Sequence, residues 1–163
     1  MVVDFGRNIA GYIAFHVDSI SDSSTHQIGV TFSESSLWIN NTYCDATQDA
    51  GLDFPLVFSV TTPGHYEAPS ERQRGGFRYI TFVHNSTTGS VDISNLTVSF
   101  TPEPTMINPA NYTGFFNSDN EKINRVWYAG AYTNQLCTIA PDTGSALLVP
   151  NDFWYYNATL SSE

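Results

Sequence analysis

Positive charge is what this chain most lacks. Lys122 is its sole lysine, and Lys and Arg together number 6 against 16 Asp and Glu, a formal net charge of −10. Nucleic-acid phosphates are bound by basic stripes. The densest basic run here, Arg72, Arg74 and Arg78, sits beside Glu67 and Glu71. Nucleic acid is therefore not expected as a partner, nor is an anionic membrane surface. Long hydrophobic runs are missing too: none approaches the roughly 20 residues of a bilayer-crossing helix. Cysteine is limited to Cys44 and Cys137, whose spacing fits neither a zinc finger nor a redox C-x-x-C. Two readings stay open for them: one disulfide closing a long loop, worth about 4 kcal/mol of chain entropy, or two separate buried thiols acting as small hydrophobes. The histidines His16, His26, His65 and His84 show no H-E-x-x-H spacing and read as surface or strand residues. No G-x-S-x-G elbow and no phosphate-cradling glycine loop occurs. No metal and no cofactor is expected.

What is present describes a folded, polar-surfaced domain. A length of 163 residues suits one sizeable core, and 41% hydrophobic with 14% aromatic content excludes a disordered chain. Charged residues are 13%, about half the usual share; Ser, Thr and Asn take their place, as in secreted proteins. Five N-x-S/T triplets occur, at Asn40, Asn85, Asn95, Asn111 and Asn157. Four fall in expected turns or loops, where glycans are tolerated, and Asn95 falls at the start of an expected strand. A secreted, extracellular glycoprotein is the expectation. The opening Met1-Val2-Val3-Asp4 is no signal peptide, so either a signal was removed or Met1 lies inside a longer chain.

Period-2 alternation runs through the first hundred residues. Ile13, Phe15 and Val17 share one face; Ile28, Val30 and Phe32 repeat the pattern, as do Leu56, Phe58 and Val60. Residues 77–83 are apolar on both faces, as in a central strand. Val91 and Ile93, then Leu96, Val98 and Phe100, complete the set. Turn-forming clusters lie at residues 21–24, Pro63-Gly64, Gly75-Gly76 and residues 85–90. Short strands at even spacing without intervening helices predict an all-β fold, an antiparallel, jelly-roll-like β-sandwich, over 1–101.

Prolines mark a linker and last strand over 102–117. Ser118-Asp119-Asn120-Glu121 reads as a capping box, opening one C-terminal α-helix over 118–140 that ends at Pro141. Ile123, Val126, Trp127, Gly130, Asn134 and Cys137 trace one face, while Tyr128, Ala129, Tyr132 and Leu136 cover much of the rest. Such a helix needs a packing partner. An irregular aromatic tail fills 141–163.

Several segments carry a family likeness. Asp4-Phe5-Gly6-Arg7-Asn8 with Gly11-Tyr12, then Gly29-Val30-Thr31-Phe32-Ser33-Glu34-Ser35, Arg74-Gly75-Gly76-Phe77-Arg78-Tyr79-Ile80, and Gly114-Phe115-Phe116-Asn117-Ser118-Asp119 with Ile123-Asn124 and Trp127 occur in this order. In series they resemble the concanavalin-like β-sandwich domain of the α-L-rhamnosidases of glycoside hydrolase family 78, in its secreted fungal branch. The resemblance implies a module beside an (α/α)6 catalytic barrel that hydrolyses terminal α-linked rhamnose with inversion. That barrel would begin at the capped helix. Its acidic stretch has no counterpart here, so no catalytic residue is carried over.

Glycoside hydrolysis needs paired carboxylates; Glu34, Asp45, Asp49 and Asp53 are available but read as solvated loop charge. Sugar binding needs an exposed aromatic face with polar neighbours. Trp38, beside Ser35, Ser36 and Asn40, is one candidate, with core packing as its alternative. Trp154, Tyr155 and Tyr156, beside Asn151, Asp152 and Asn157, are the other, with cover for the helix as theirs. The resulting expectation is a non-catalytic accessory β-sandwich that supports carbohydrate recognition, its partners being rhamnose-containing glycans and either a catalytic domain or a second copy met through the C-terminal helix. The alternative is a free-standing secreted lectin-like or cell-wall interaction protein.

Overall fold

A computed structural model describes residues 1–45, 54–69, 72–100, 108 and 110–137. Among the described residues the fold is mostly β and antiparallel, with a single α-helix that follows the strands, in agreement with the sequence pattern. The strands are β1 (Val2–Ile20), β2 (His26–Ser33), β3 (Leu56–Val60), β4 (Gly64–Glu67), β5 (Arg74–His84) and β6 (Val91–Phe100); the helix is α1 (Glu121–Cys137). A 3-10 turn, Ser36–Trp38, follows β2.

The ladders form one continuous curled sheet in the order β3-β2-β5-β1-β4, with β6 also paired to β1. β1 makes the curl. Its first residues pair with β5 (Val2 with Thr81, Asp4 with Tyr79), and its later residues pair with β4 on one side and β6 on the other. Residues at alternate positions of one strand point to the same face, so Ile13, Phe15 and Val17 enter the interior together, and all three are fully buried. There Phe15 meets Phe58 and Phe82 edge-on at 5.0 and 5.5 Å. The curled sheet thus wraps a core that includes Val30, Phe32, Val60, Phe77 and Ile80.

Register shifts interrupt the pairing of β1 with both β5 and β6 and bend the strand. Residues 5–8 bulge out opposite Arg78 alone, because Asp4 pairs with Tyr79 while Ile9 already pairs with Phe77. Gly6 (φ +78) lies within this excursion, and Gly76 (φ +61) lies in the next irregularity, between the Ile9–Phe77 and Gly11–Arg74 pairs. On the other edge, Ala14 pairs with Thr97 and His16 with Ser94, so Phe15 faces two residues of β6. Asn95 takes the left-handed conformation there (φ +49), which Asn tolerates better than most residues. The bulge shifts the inward phase of β6 by one residue. That is why the half-buried set is Val91 and Ile93 before it but Leu96 and Val98 after it.

The helix start differs from the sequence expectation. Asn120, not Ser118, is the cap: its Oδ1 accepts the Lys122 N–H at 3.0 Å and its carbonyl accepts from Ile123 and Asn124. Ser118 is held one turn earlier by Asn124, whose Oδ1 accepts the Ser118 N–H at 2.7 Å. The expected helix end near Pro141 lies outside the described residues.

Candidate functional site

Three of the four motif segments singled out in the sequence come together beside the β1–β5 ladder. Asp4 takes both nitrogens of the Arg78 fork, Nε to Oδ1 at 2.7 Å and Nη2 to Oδ2 at 2.9 Å. The same carboxylate accepts the Gly6 N–H at 2.7 Å, which closes the tight turn. Both the arginine and that N–H favour the charged form, so Asp4 is held below its usual pKa. Phe5 packs edge-on against Phe77 at 5.9 Å. Glu34 lies against Gly76, so close that a Cβ there would sit 2.6 Å from its Oε1.

Glu34 and Asp45 are the acidic candidates that come together. Asp45 Oδ2 accepts the Glu34 N–H at 2.9 Å and the Ser33 hydroxyl at 3.1 Å. Glu34 keeps part of its side chain in solvent, yet the protein packed around its carboxyl, and secondarily the Asp45 charge, raise its pKa. Asp49 and Asp53 lie outside the described residues. Beneath this pair Arg74 is buried over the Phe32 ring at 5.1 Å, and its Nη2 reaches the Cys44 sulfur at 3.4 Å. The Cys44 sulfur is buried and also accepts the Phe32 N–H. Pairing of Cys44 with Cys137 lies outside what is described, since the Cys137 side chain is not among it.

Trp38 is exposed at 66%, on the turn where Ser35 Oγ caps the Leu37 N–H. Leu37, Tyr43 and Phe54 are also exposed, and Tyr43 and Phe54 lie 5.9 Å apart. Trp38 is therefore not core: it is an exposed ring of the kind that stacks on sugars. Trp154, Tyr155, Tyr156 and Asn157 lie outside the described residues. Asn40, Asn85, Asn95 and Asn111 are all exposed. Asn40 Oδ1 accepts the Thr42 and Tyr43 N–H groups, and Asn85 Oδ1 accepts the Gln27 N–H. In both, the amide oxygen serves the fold and the nitrogen, the atom a glycan would take, does not.

One histidine is a strand residue drawn into the interior. His26 is buried, its Nδ1 lying 2.9 Å from His84 Nε2 and its Nε2 3.2 Å from Asp22 Oδ1. The Asp22 carboxylate needs a donor, so the arrangement assigns N–H to His26 Nε2 and makes Nδ1 the acceptor of the His84 Nε2–H. No cluster of three or more metal-ligating side chains exists among the described residues.

Sequence reasoning missed a cleft at the seam between α1 and the sheet. It measures about 300 Å³ and is lined by Arg7, Phe100, Tyr112, Tyr128, Tyr132 and Gln135 among others. Tyr132 donates to the Asn8 carbonyl at 2.6 Å and Tyr112 to Gln135 Oε1 at 2.7 Å. Burial raises the pKa of both phenols, so both stay protonated donors at neutral pH. Arg7 lies over the Tyr132 ring at 5.9 Å. The only sequence signal for this cleft is the tyrosine spacing on α1, which periodicity alone assigns to packing.

No protein-family model matches the chain, and no curated protein matches it.

Proposed function

We propose that the chain is a non-catalytic accessory β-module of an α-L-rhamnosidase-like glycoside hydrolase and that it supports carbohydrate recognition. The observation that carries this reading is the convergence of the motif residues. Asp4 clamps Arg78, Glu34 abuts Gly76, and Asn8 receives Tyr132 from the helix. Residues from three of the segments that resemble one family's motifs meet beside the β1–β5 ladder, and the helix that follows the fourth is tied to the first through Tyr132.

The helix supports the accessory role over a free-standing lectin. It is bonded to the sheet through Tyr132 and buries Gln135 and Leu136, while Val126 is 72% and Ile123 50% exposed. An apolar helix face left in water marks a surface that another body covers, here the catalytic barrel. The Trp38 surface supports the carbohydrate role.

The test is a glycan array that includes α-rhamnosyl glycans, with hydrolysis of an aryl α-rhamnoside assayed on the same sample. Binding without turnover is expected. Turnover proportional to the amount of purified chain would overturn the non-catalytic reading. A monodisperse monomer with full glycan affinity and no affinity for a separately expressed barrel would favour the lectin-like alternative.

A further inference from the structure

The seam cleft has a chemistry distinct from that of the Trp38 surface. Its two buried-side hydroxyls are already committed as donors, Tyr132 to Asn8 and Tyr112 to Gln135. Each phenol oxygen is left with acceptor capacity only, which suits ligand hydroxyl groups. Phe100 and Tyr128 are each 41% exposed and offer ring faces for the C–H side of a pyranose. Arg7 adds a fixed positive charge. Among the described residues it meets no carboxylate, in a chain carrying 16 acids and a net charge of −10. The volume of about 300 Å³ sits at the small end of ligand pockets and fits one sugar ring.

We infer that this cleft binds a pyranose bearing a single carboxylate, a uronic acid residue of a glycan, with Arg7 as the anchor of its carboxylate. A guanidinium fork matches a carboxylate through two parallel hydrogen bonds. The overall negative charge of the protein repels ligands with several charges, so one lone arginine selects a monoanion over a phosphorylated or sulfated sugar. The inference rests on the carbohydrate-recognition reading above and adds the ligand class and its location.

The probes are methyl β-D-glucuronide and its neutral counterpart methyl β-D-glucoside, followed by amide chemical shifts in the intact chain. The glucuronide should perturb residues around Arg7, Tyr112 and Tyr128, and bind about tenfold more tightly than the glucoside at low salt. The preference should shrink as salt rises. Arg7→Gln, at an exposed position, should equalise the two sugars; Arg7→Lys should restore only part of the preference; Tyr128→Ala should weaken both sugars alike. Far-UV circular dichroism checks that each variant is folded. Equal affinities in the parent chain, a preference that survives Arg7→Gln, or perturbations confined to the Trp38 surface would each overturn the inference. If rhamnosyl glycans still bind on the array, the accessory-module reading survives that outcome; a chain that binds no glycan at all defeats both.

Discussion

The Asp4 carboxylate and the Arg78 guanidinium face each other as two matched forks, with both bonds under 3 Å. They join β1 to β5 at the first of the two register shifts that interrupt the ladder between them. The pair therefore does what the missing backbone bonds would do, and it fixes where the 5–8 excursion begins.

Its pH dependence has a definite sign. The folded state holds Asp4 below its ordinary value of 3.8. The stabilisation is present above that value and is lost as pH falls through the folded pKa. Asp4→Asn keeps an acceptor for the Gly6 N–H and removes the charge. It should lower the melting temperature at neutral pH and make progressively less difference at acid pH, as pH falls through the folded pKa of Asp4. Melting curves of parent and variant at neutral and acid pH check this, and a difference that persists undiminished in acid would contradict it.

Glu34 should behave in the opposite way. Its folded pKa is raised above 4.5 by burial and by Asp45, so its ionised form costs stability at neutral pH. The cost disappears as pH falls through the raised value. Glu34→Gln is expected to raise the melting temperature at pH 7 by about 2 °C and to match the parent below about pH 4. A neutral-pH loss would mean that the carboxylate makes a bond that the amide cannot replace.

Two glycines with positive φ separate strain from crowding. Gly6 (φ +78) has nothing within 4 Å of where a Cβ would stand, so Gly6→Ala pays only for its backbone conformation, about 1–2 kcal/mol. At Gly11 (φ +151) a Cβ would lie 2.0 Å from the Ser99 carbonyl oxygen, against backbone that cannot swing aside. Gly11→Ala should cost about 4 kcal/mol or more, or prevent folding. Urea midpoints give the ranking; equal losses at the two sites would show that the β1–β6 edge yields.

The strands were legible because alternation is a local signal: Ile13, Phe15 and Val17 announce their face without help from the rest of the chain. Their path was not. β1 reads as a motif followed by a strand, and only the ladders reveal one strand of 19 residues serving both halves of the curl. β4, Gly64–Glu67, carries no apolar alternation and was hidden in an expected turn. The break of phase between Ile93 and Leu96 was visible, but its cause, Asn95 in a left-handed bulge, depends on the partner strand. His26 read only as a surface or strand residue, because the partner that buries it alongside Asp22, His84, meets it through strand pairing. The seam cleft joins residues more than 120 positions apart in sequence, Asn8 and Tyr132 among them, a distance over which periodicity carries no information.

The Tyr132–Asn8 bond is the most direct test of how α1 is held. The helix shares few contacts with the strands, and this bond ties its middle to the excursion in β1 at 2.6 Å. Tyr132→Phe keeps the ring and the Arg7 stacking while deleting the donor, leaving the half-buried Asn8 carbonyl without it. The expected loss is about 1 kcal/mol, and it should be local. Hydrogen exchange of the α1 amides should quicken several-fold, while the core strands β2 and β5 keep their protection, because sub-global opening of a docked helix need not unfold the sheet beneath it. Uniform quickening across helix and sheet would instead show that α1 and the curl form one cooperative unit, and that removing the helix would cost the whole fold.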